Sequence, residues 1–204
     1  MKPFRHFWLL CLVFTLIISG CSDTPQIARL APDAVILAFG NSLTHGTGAR
    51  EGESYPARLE EIIGRQVINA GIPGEVTAAG RKRLPELLDE HQPDLLILCH
   101  GGNDMLRRQD RGQTIVNLKA MIEQTRNRNI SVVLVSVPQL GLLLDSAPFY
   151  REIAAEYKIP CEDEIISDLL SDRDLKSDTI HPNATGYRMM AESIAELLKK
   201  SGAI

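Results

Sequence analysis

Basic residues never gather in this chain beyond the triplet Arg81-Lys82-Arg83, which reads as the solvated face of a helix. With a formal charge of −4, the chain lacks the electrostatic footprint of a nucleic-acid binder, and nucleic acid is not expected as a partner. Cysteine is scarce, at four residues, and no Cys/His pairs stand at ligand spacing, so a metal site is unsupported. No apolar run reaches the roughly 20 residues of a comfortable transmembrane helix. Hydrophobic residues at 44% and charged residues at 24% exclude a disordered chain. The 204 residues suffice for one domain with a real core and are short for two.

What is present begins with the N-terminus. Lys2, Arg5 and His6 precede the apolar run Phe7 to Ile18, and Ser19-Gly20-Cys21 follows. A short positive segment, about a dozen apolar residues and small residues at a cut site describe a secretory signal. Ile18-Ser19-Gly20-Cys21 resembles the bacterial lipoprotein lipobox, which implies cleavage before Cys21 and its acylation. Residues 1–20 are therefore expected to be a lipoprotein signal peptide, 21–33 a tether and 34–204 the folded domain. Loss of Lys2 and Arg5 with the signal takes the formal charge from −4 to −6. Such a protein sits in the bacterial cell envelope, attached to a membrane through Cys21. Cys99 and Cys161 then remain in an oxidising compartment where a disulfide is possible. Each lies in or beside an apolar run, which favours buried free thiols.

Along the domain, continuous apolar runs alternate with helical patterns. Val35 to Phe39, Val67 to Ala70, Leu95 to Cys99 and Val132 to Val137 read as strands covered on both faces, with Ile159 to Cys161 a weaker fifth. Ser54 is expected to cap a helix starting at Tyr55-Pro56, with Leu59, Ile62 and Ile63 inward and Gly64 at its end. Residues 77–91 are helical with a break or kink expected at Pro85. Helices follow over 112–127, 149–158 and about 183–200. This alternation means a parallel α/β sheet with helices on both faces, whose functional loops gather at the C-terminal strand ends. Four polar segments follow: Gly40-Asn41-Ser42-Leu43, Gly71-Ile72-Pro73-Gly74, Gly101-Gly102-Asn103-Asp104 and Asp178-Thr179-Ile180-His181.

Their chemistry is complementary. A serine hydroxyl becomes a nucleophile only when a base takes its proton, and that base needs an orienting group. Asp178 and His181, three residues apart, can meet directly while the other ring nitrogen faces Ser42. The oxyanion needs donors, and the backbone N–H of Ser42, that of Gly71 and the side-chain amide of Asn103 are the candidates. His100 reads as a strand-end packing residue. The apolar loop Leu140 to Leu144 suits either an acyl chain or the core.

These blocks, in the order Ser42, Gly71, Asn103, Asp178-x-x-His181, resemble the SGNH (GDSL-type) hydrolases. The stretch RLPELLDEHQPDLLILCHGGNDMLR, residues 83–107, is similar to their bacterial thioesterase I/arylesterase/lysophospholipase branch. The resemblance spans about residues 35–198. It implies a three-layer α/β/α sandwich with a flavodoxin-like five-stranded parallel sheet in order 2-1-3-4-5. It also implies no cofactor, catalysis by Ser42, Asp178 and His181, and an oxyanion hole of Ser42, Gly71 and Asn103. Asn41 and Asp104 are supporting residues. The expected substrate is a small-molecule acyl ester or thioester, and the expected state a monomer. Asn41 departs from the family, which carries Asp before the serine.

Two rival readings are weaker. A glycan O-deacetylase of the same superfamily does not account for the branch-like stretch 83–107. A non-catalytic lipid-binding lipoprotein would be free to lose Ser42, Asp178 or His181, and all three are present. The α/β-hydrolase elbow needs glycine two residues after the serine, where this chain has Thr44.

Overall fold

Runs of Leu, Ile and Val with no polar interruption can only be buried from both sides, and that requirement sets the architecture. The computed structural model of the protein describes residues 24–139 and 145–204. Five strands form one parallel sheet: β1 (Val35–Gly40), β2 (Gln66–Gly71), β3 (Leu95–Cys99), β4 (Ser131–Val135) and β5 (Cys161–Glu162). Their order is β2-β1-β3-β4-β5, as the sequence predicts. The lipobox, Cys21 and Leu140–Leu144 lie outside the described residues.

Helices join successive strands: α1 (Ser42–His45) and α2 (Tyr55–Ile63) after β1, and α3 (Thr77–His91) after β2. Next come α4 (Gly102–Leu106), α5 (Arg111–Arg126) and α6 (Phe149–Tyr157), and α7 (Ile165–Ser171) and α8 (Ala184–Lys200) follow β5. Parallel crossovers are right-handed, so the leftward step β1–α2–β2 puts α2 on one face and the rightward steps put α3, α5 and α6 on the other. Accordingly α2 packs on α8, while α3 packs on α5. Residues 36–39 of β1 and all of β3 are fully buried between these layers.

The local expectations need four corrections. The second apolar run, read as covered on both faces, buries only Val67 fully, and Asn69 within it is exposed, as suits the outer strand of this order. Ile62, expected inward, is exposed, since α2 turns only Tyr55, Pro56 and Leu59 fully into the core. Ser54 occupies the cap position of α2 without a side-chain capping bond; its hydroxyl meets the Asn69 amide at 3.4 Å instead. Helix α3 runs without a break through Pro85, held on both sides by burial of Leu84 and Leu88 against the sheet.

Candidate active site

The turn that carries Ser42 is built by close approach. Gly40 ends β1 where any Cβ would collide with the Cys99 carbonyl and the Thr44 hydroxyl. Asn41 follows, 2% exposed, and its Oδ1 accepts the Leu43 N–H at 3.2 Å. This caps the single turn α1 and leaves Ser42 at its first position, where a helix has no internal partner for the N–H. Gly46, with φ 95°, closes the turn in the left-handed conformation.

The candidate base and orienter, His181 and Asp178, come from the loop before α8. Asp178 Oδ1 accepts the backbone N–H groups of Ile180 (2.8 Å) and His181 (2.9 Å), folding the loop around its own carboxylate. Its Oδ2 meets His181 Nδ1 at 2.7 Å, and His181 Nε2 lies 2.9 Å from Ser42 Oγ. Partial burial pushes the Asp178 carboxyl up, but the His181 ring and the two backbone N–H donors outweigh it and hold its pKa below the ordinary value. The carboxylate is therefore ionised at neutral pH and fixes Nδ1 as the protonated nitrogen, leaving Nε2 to accept from the serine. The loop is seated by Ser177 N–H on the His181 carbonyl at 2.9 Å and by Asn183, whose Oδ1 caps α8 at the Gly186 N–H. Tyr187 of α8 donates to the Thr47 carbonyl at 2.7 Å, tying this end of the molecule to the serine turn.

The oxyanion side differs from expectation. Gly71 donates its N–H to Asn69 Oδ1 at 3.0 Å, and a Cβ there would collide with the His45 backbone. Its glycine is required for packing α1 on β2, and its N–H is already committed, so Gly71 is not an available oxyanion donor. In the same loop Ile72 O accepts from Glu75 N–H at 3.1 Å, making a turn with Gly74 at φ 79°. The Gly74 N–H has no partner among the described residues. Asn103, at the start of α4, donates from Nδ2 to the Glu75 carbonyl at 2.9 Å, keeping its second amide hydrogen and lining the same cleft as Ser42. Asp104, buried beside it, accepts from the Thr77 N–H at 2.9 Å and the Thr77 hydroxyl at 2.5 Å. It thereby caps α3, whose own cap position holds Val76 with nothing to offer.

Glu75, which the sequence reading passes over, Arg83, read as solvated, and His100, read as strand-end packing, meet behind this loop. Glu75, with a side chain only 6% exposed, accepts from Arg83 Nε at 2.9 Å and Nη2 at 2.7 Å and faces His100 Nε2 at 3.2 Å. His100 Nδ1 accepts the Gly101 N–H, so its Nε2 is the donor to Glu75. Arg83 also lies 4.3 Å from the centre of the Phe39 ring. Burial pushes the Glu75 carboxyl up, but the bonds from His100 and Arg83 and the arginine charge prevail and lower its pKa to about 2. Arg83 is thus no solvated helix residue. The signal available in sequence was one acid placed just before a helix carrying a run of basic residues.

Ser42 and His181 open into a cleft of about 570 Å³ whose walls include Leu106, Val137, Phe149, Leu170 and Ile180. Among the described residues, no group of three or more His, Cys, Asp or Glu side chains is placed to hold a metal ion. Both cysteines among the described residues are free, with burial pushing Cys99 up to about 12 and Cys161 to about 11.

Comparison with known proteins agrees with this geometry. Residues 38–189 match the GDSL-like Lipase/Acylhydrolase family. The chain is 27% identical over 195 residues to Esterase TesA of Pseudomonas aeruginosa, covering 90% of this chain and 97% of that protein. It is 28% identical over 179 residues to Thioesterase 1/protease 1/lysophospholipase L1 of Escherichia coli, covering 84% and 86% respectively. Among solved structures, the SGNH-hydrolase family esterase AlinE4 superposes with a TM-score of 0.64 at 31% identity, over 85% of this chain and 98% of that one. A matching domain of this extent, on this sheet order, means that the chain belongs to the GDSL-like lipase/acylhydrolase family and is a serine ester hydrolase.

Proposed function

We propose that Ser42 is the nucleophile, His181 the general base and acid, and Asp178 the group that orients it. The relay of 2.9 Å and 2.7 Å, with Ser42 and His181 lining a cleft that has apolar walls, carries this reading. As Ser42 Oγ attacks the carbonyl carbon, its proton passes to His181 Nε2 and the carbonyl oxygen takes the negative charge. The Ser42 N–H, the free amide hydrogen of Asn103 and the unpartnered Gly74 N–H are the proposed oxyanion donors. Each such donor lowers the barrier by about 3 kcal/mol. His181 then returns the proton to the departing alcohol or thiol, leaving an acyl-Ser42 ester. A water deprotonated by His181 cleaves that ester.

The substrates we assign are carboxylic esters and thioesters with an apolar acyl group, in keeping with the esterase and thioesterase/lysophospholipase names of the relatives. The lipobox before Cys21 supports an anchored position in the cell envelope. A panel of p-nitrophenyl esters of rising chain length, run on the wild type and on Ser42→Ala, tests the catalytic reading; equal rates for both proteins end it. Incorporation of labelled palmitate, lost in Cys21→Ser, tests the anchor.

A further inference from the structure

We propose that Arg108 and Arg111 form an anion-binding subsite in the cleft beside Ser42, so that the enzyme favours esters carrying a carboxylate or phosphate group. The inference rests on the serine-hydrolase reading above and names the substrate chemistry of that same site.

The charge of the cleft is opposite to that of the protein. The chain has 26 acidic and 22 basic side chains, yet the described residues lining the cleft include these two arginines and no aspartate or glutamate. Arg58, Arg83, Arg128, Arg151 and Arg188 pair with carboxylates, and Arg65, Arg81, Arg107 and Arg126 donate to carbonyls or to Asn117, whereas among the described residues the Arg108 and Arg111 side chains make neither kind of bond. Their N–H donors are left for something else.

The Arg111 side chain and the Arg108 backbone are nevertheless held in place. The Arg111 guanidinium carbon lies 5.3 Å from the ring centre of buried Phe149, a cation–π contact that positions the charge without using its donors. Arg108 has φ 52°, a conformation that residues bearing side chains rarely adopt. Two backbone bonds impose it: Arg108 N–H to the Met105 carbonyl at 3.0 Å and Gln109 N–H to the Asp104 carbonyl at 2.9 Å. Asp104 is itself buried under α3, so the loop is pinned to the interior. Both arginines stand exposed at the solvent side of the cleft, whose lining also holds apolar Leu106, Val137, Phe149 and Leu170. A hydrocarbon segment on the wall and an anionic end at the arginines would fill the cleft together.

The test measures kcat/KM for matched pairs of esters. One pair places the anion on the acyl part: p-nitrophenyl hexanoate against the mono-p-nitrophenyl ester of adipate. The other places it on the alcohol part: a monoacylglycerol against the same acylglycerol 3-phosphate. The wild type should favour the anionic member of at least one pair by about tenfold, the scale of a charge-assisted hydrogen bond in a partly open site. High salt should shrink that ratio. The ratio should fall to near one in Arg108→Ala/Arg111→Ala and invert in Arg111→Glu, while Arg188→Ala, an exposed arginine on α8, keeps it. Ratios within about twofold of one for both pairs in the wild type would mean that the arginines are ordinary surface charges, and would overturn the subsite. A ratio undiminished in the double variant would overturn it as well. Ser42→Ala separates the two levels: turnover abolished with no anion preference removes the subsite alone, whereas turnover retained removes the hydrolase reading on which it stands.

Discussion

The side-chain amide of Asn103 donates to the backbone carbonyl of Glu75 at 2.9 Å, and the Glu75 carboxylate is in turn gripped by Arg83 and His100. The aim of a proposed oxyanion donor therefore depends on a buried charge cluster on the far side of its loop. Neither residue of that pair touches the serine relay in doing so.

From this linkage, Glu75→Gln should lower kcat by about tenfold with little change in KM, because a misaimed oxyanion donor is missed only in the transition state. The loss is smaller than for deleting a donor. Steady-state kinetics on an aryl ester measures the split; a rise in KM at constant kcat would contradict it. Stability carries a second signature. The folded pKa of Glu75 is lowered to about 2, so its contribution is complete above the unfolded glutamate value near 4.3. It is lost as pH falls through the folded value. The melting-temperature gap between wild type and Glu75→Gln should thus be constant at neutral pH and close as the pH drops from about 5 toward 2.

Replacing Asp178 with Asn keeps an acceptor for the Ile180 and His181 N–H groups but no longer fixes the proton on Nδ1. We expect kcat to fall about 10³-fold, toward the range seen when the orienting aspartate of such a triad is neutralised. The loop should remain folded, so substrate inhibition constants or KM would stay close to wild type. An effect below about tenfold would remove Asp178 from the relay.

Asn41→Asp should move the acidic limb of kcat/KM to higher pH. A carboxylate at 41 still caps Leu43 N–H, and its negative charge, in the same cleft as His181, favours the imidazolium. Because the protonated ring is inactive as a base, raising its pKa delays the onset of activity as pH rises. A pH–rate profile with an unmoved limb would sink the idea.

Gly71→Ala and Gly74→Ala should separate two kinds of glycine. At 71 a methyl meets the His45 backbone and forces a rigid shift, costing about 2–3 kcal/mol of stability in urea unfolding. At 74 the nearest atom is Arg107 Nη2 at 3.5 Å, and the cost is the positive φ alone, about 1 kcal/mol. Equal losses would refute the assignment of Gly71 to packing.

How much of this was readable in the residues depends on how far the controlling contacts lie along the chain. The buried strands β1 and β3 announce themselves, since Ile36-Leu37-Ala38-Phe39 and Leu95-Leu96-Ile97-Leu98 have no polar face. The relay was legible for a similar reason: Asp178 and His181 are close in sequence, and Ser42 follows a strand. The exposure within β2 was not, because how far a strand is covered is set by the elements packed around it rather than by the residues of Val67 to Ala70 themselves. Gly71 and Gly74 look alike as letters; only the commitment of the Gly71 N–H to Asn69 tells them apart. Arg83 looked solvated because its partners, Glu75 and the Ala70 carbonyl, eight and thirteen positions away, are brought to it only by the turn between β2 and α3.

The register of β1 against β3, with Gly40 opposite Cys99, has a mechanical meaning. Ser42 and Asn103 leave adjacent strands at the same level, so their separation is inherited from interstrand spacing and is as stiff as the sheet. Asp178 and His181 hang instead on a loop that no strand pairing of the sheet includes. The loop can part from Ser42 with every ladder intact. Such a design divides the proposed catalytic set into a fixed anvil and a separately hung hammer, and on heating we expect esterase activity to fall before the circular-dichroism signal of the fold; coincident transitions would contradict it.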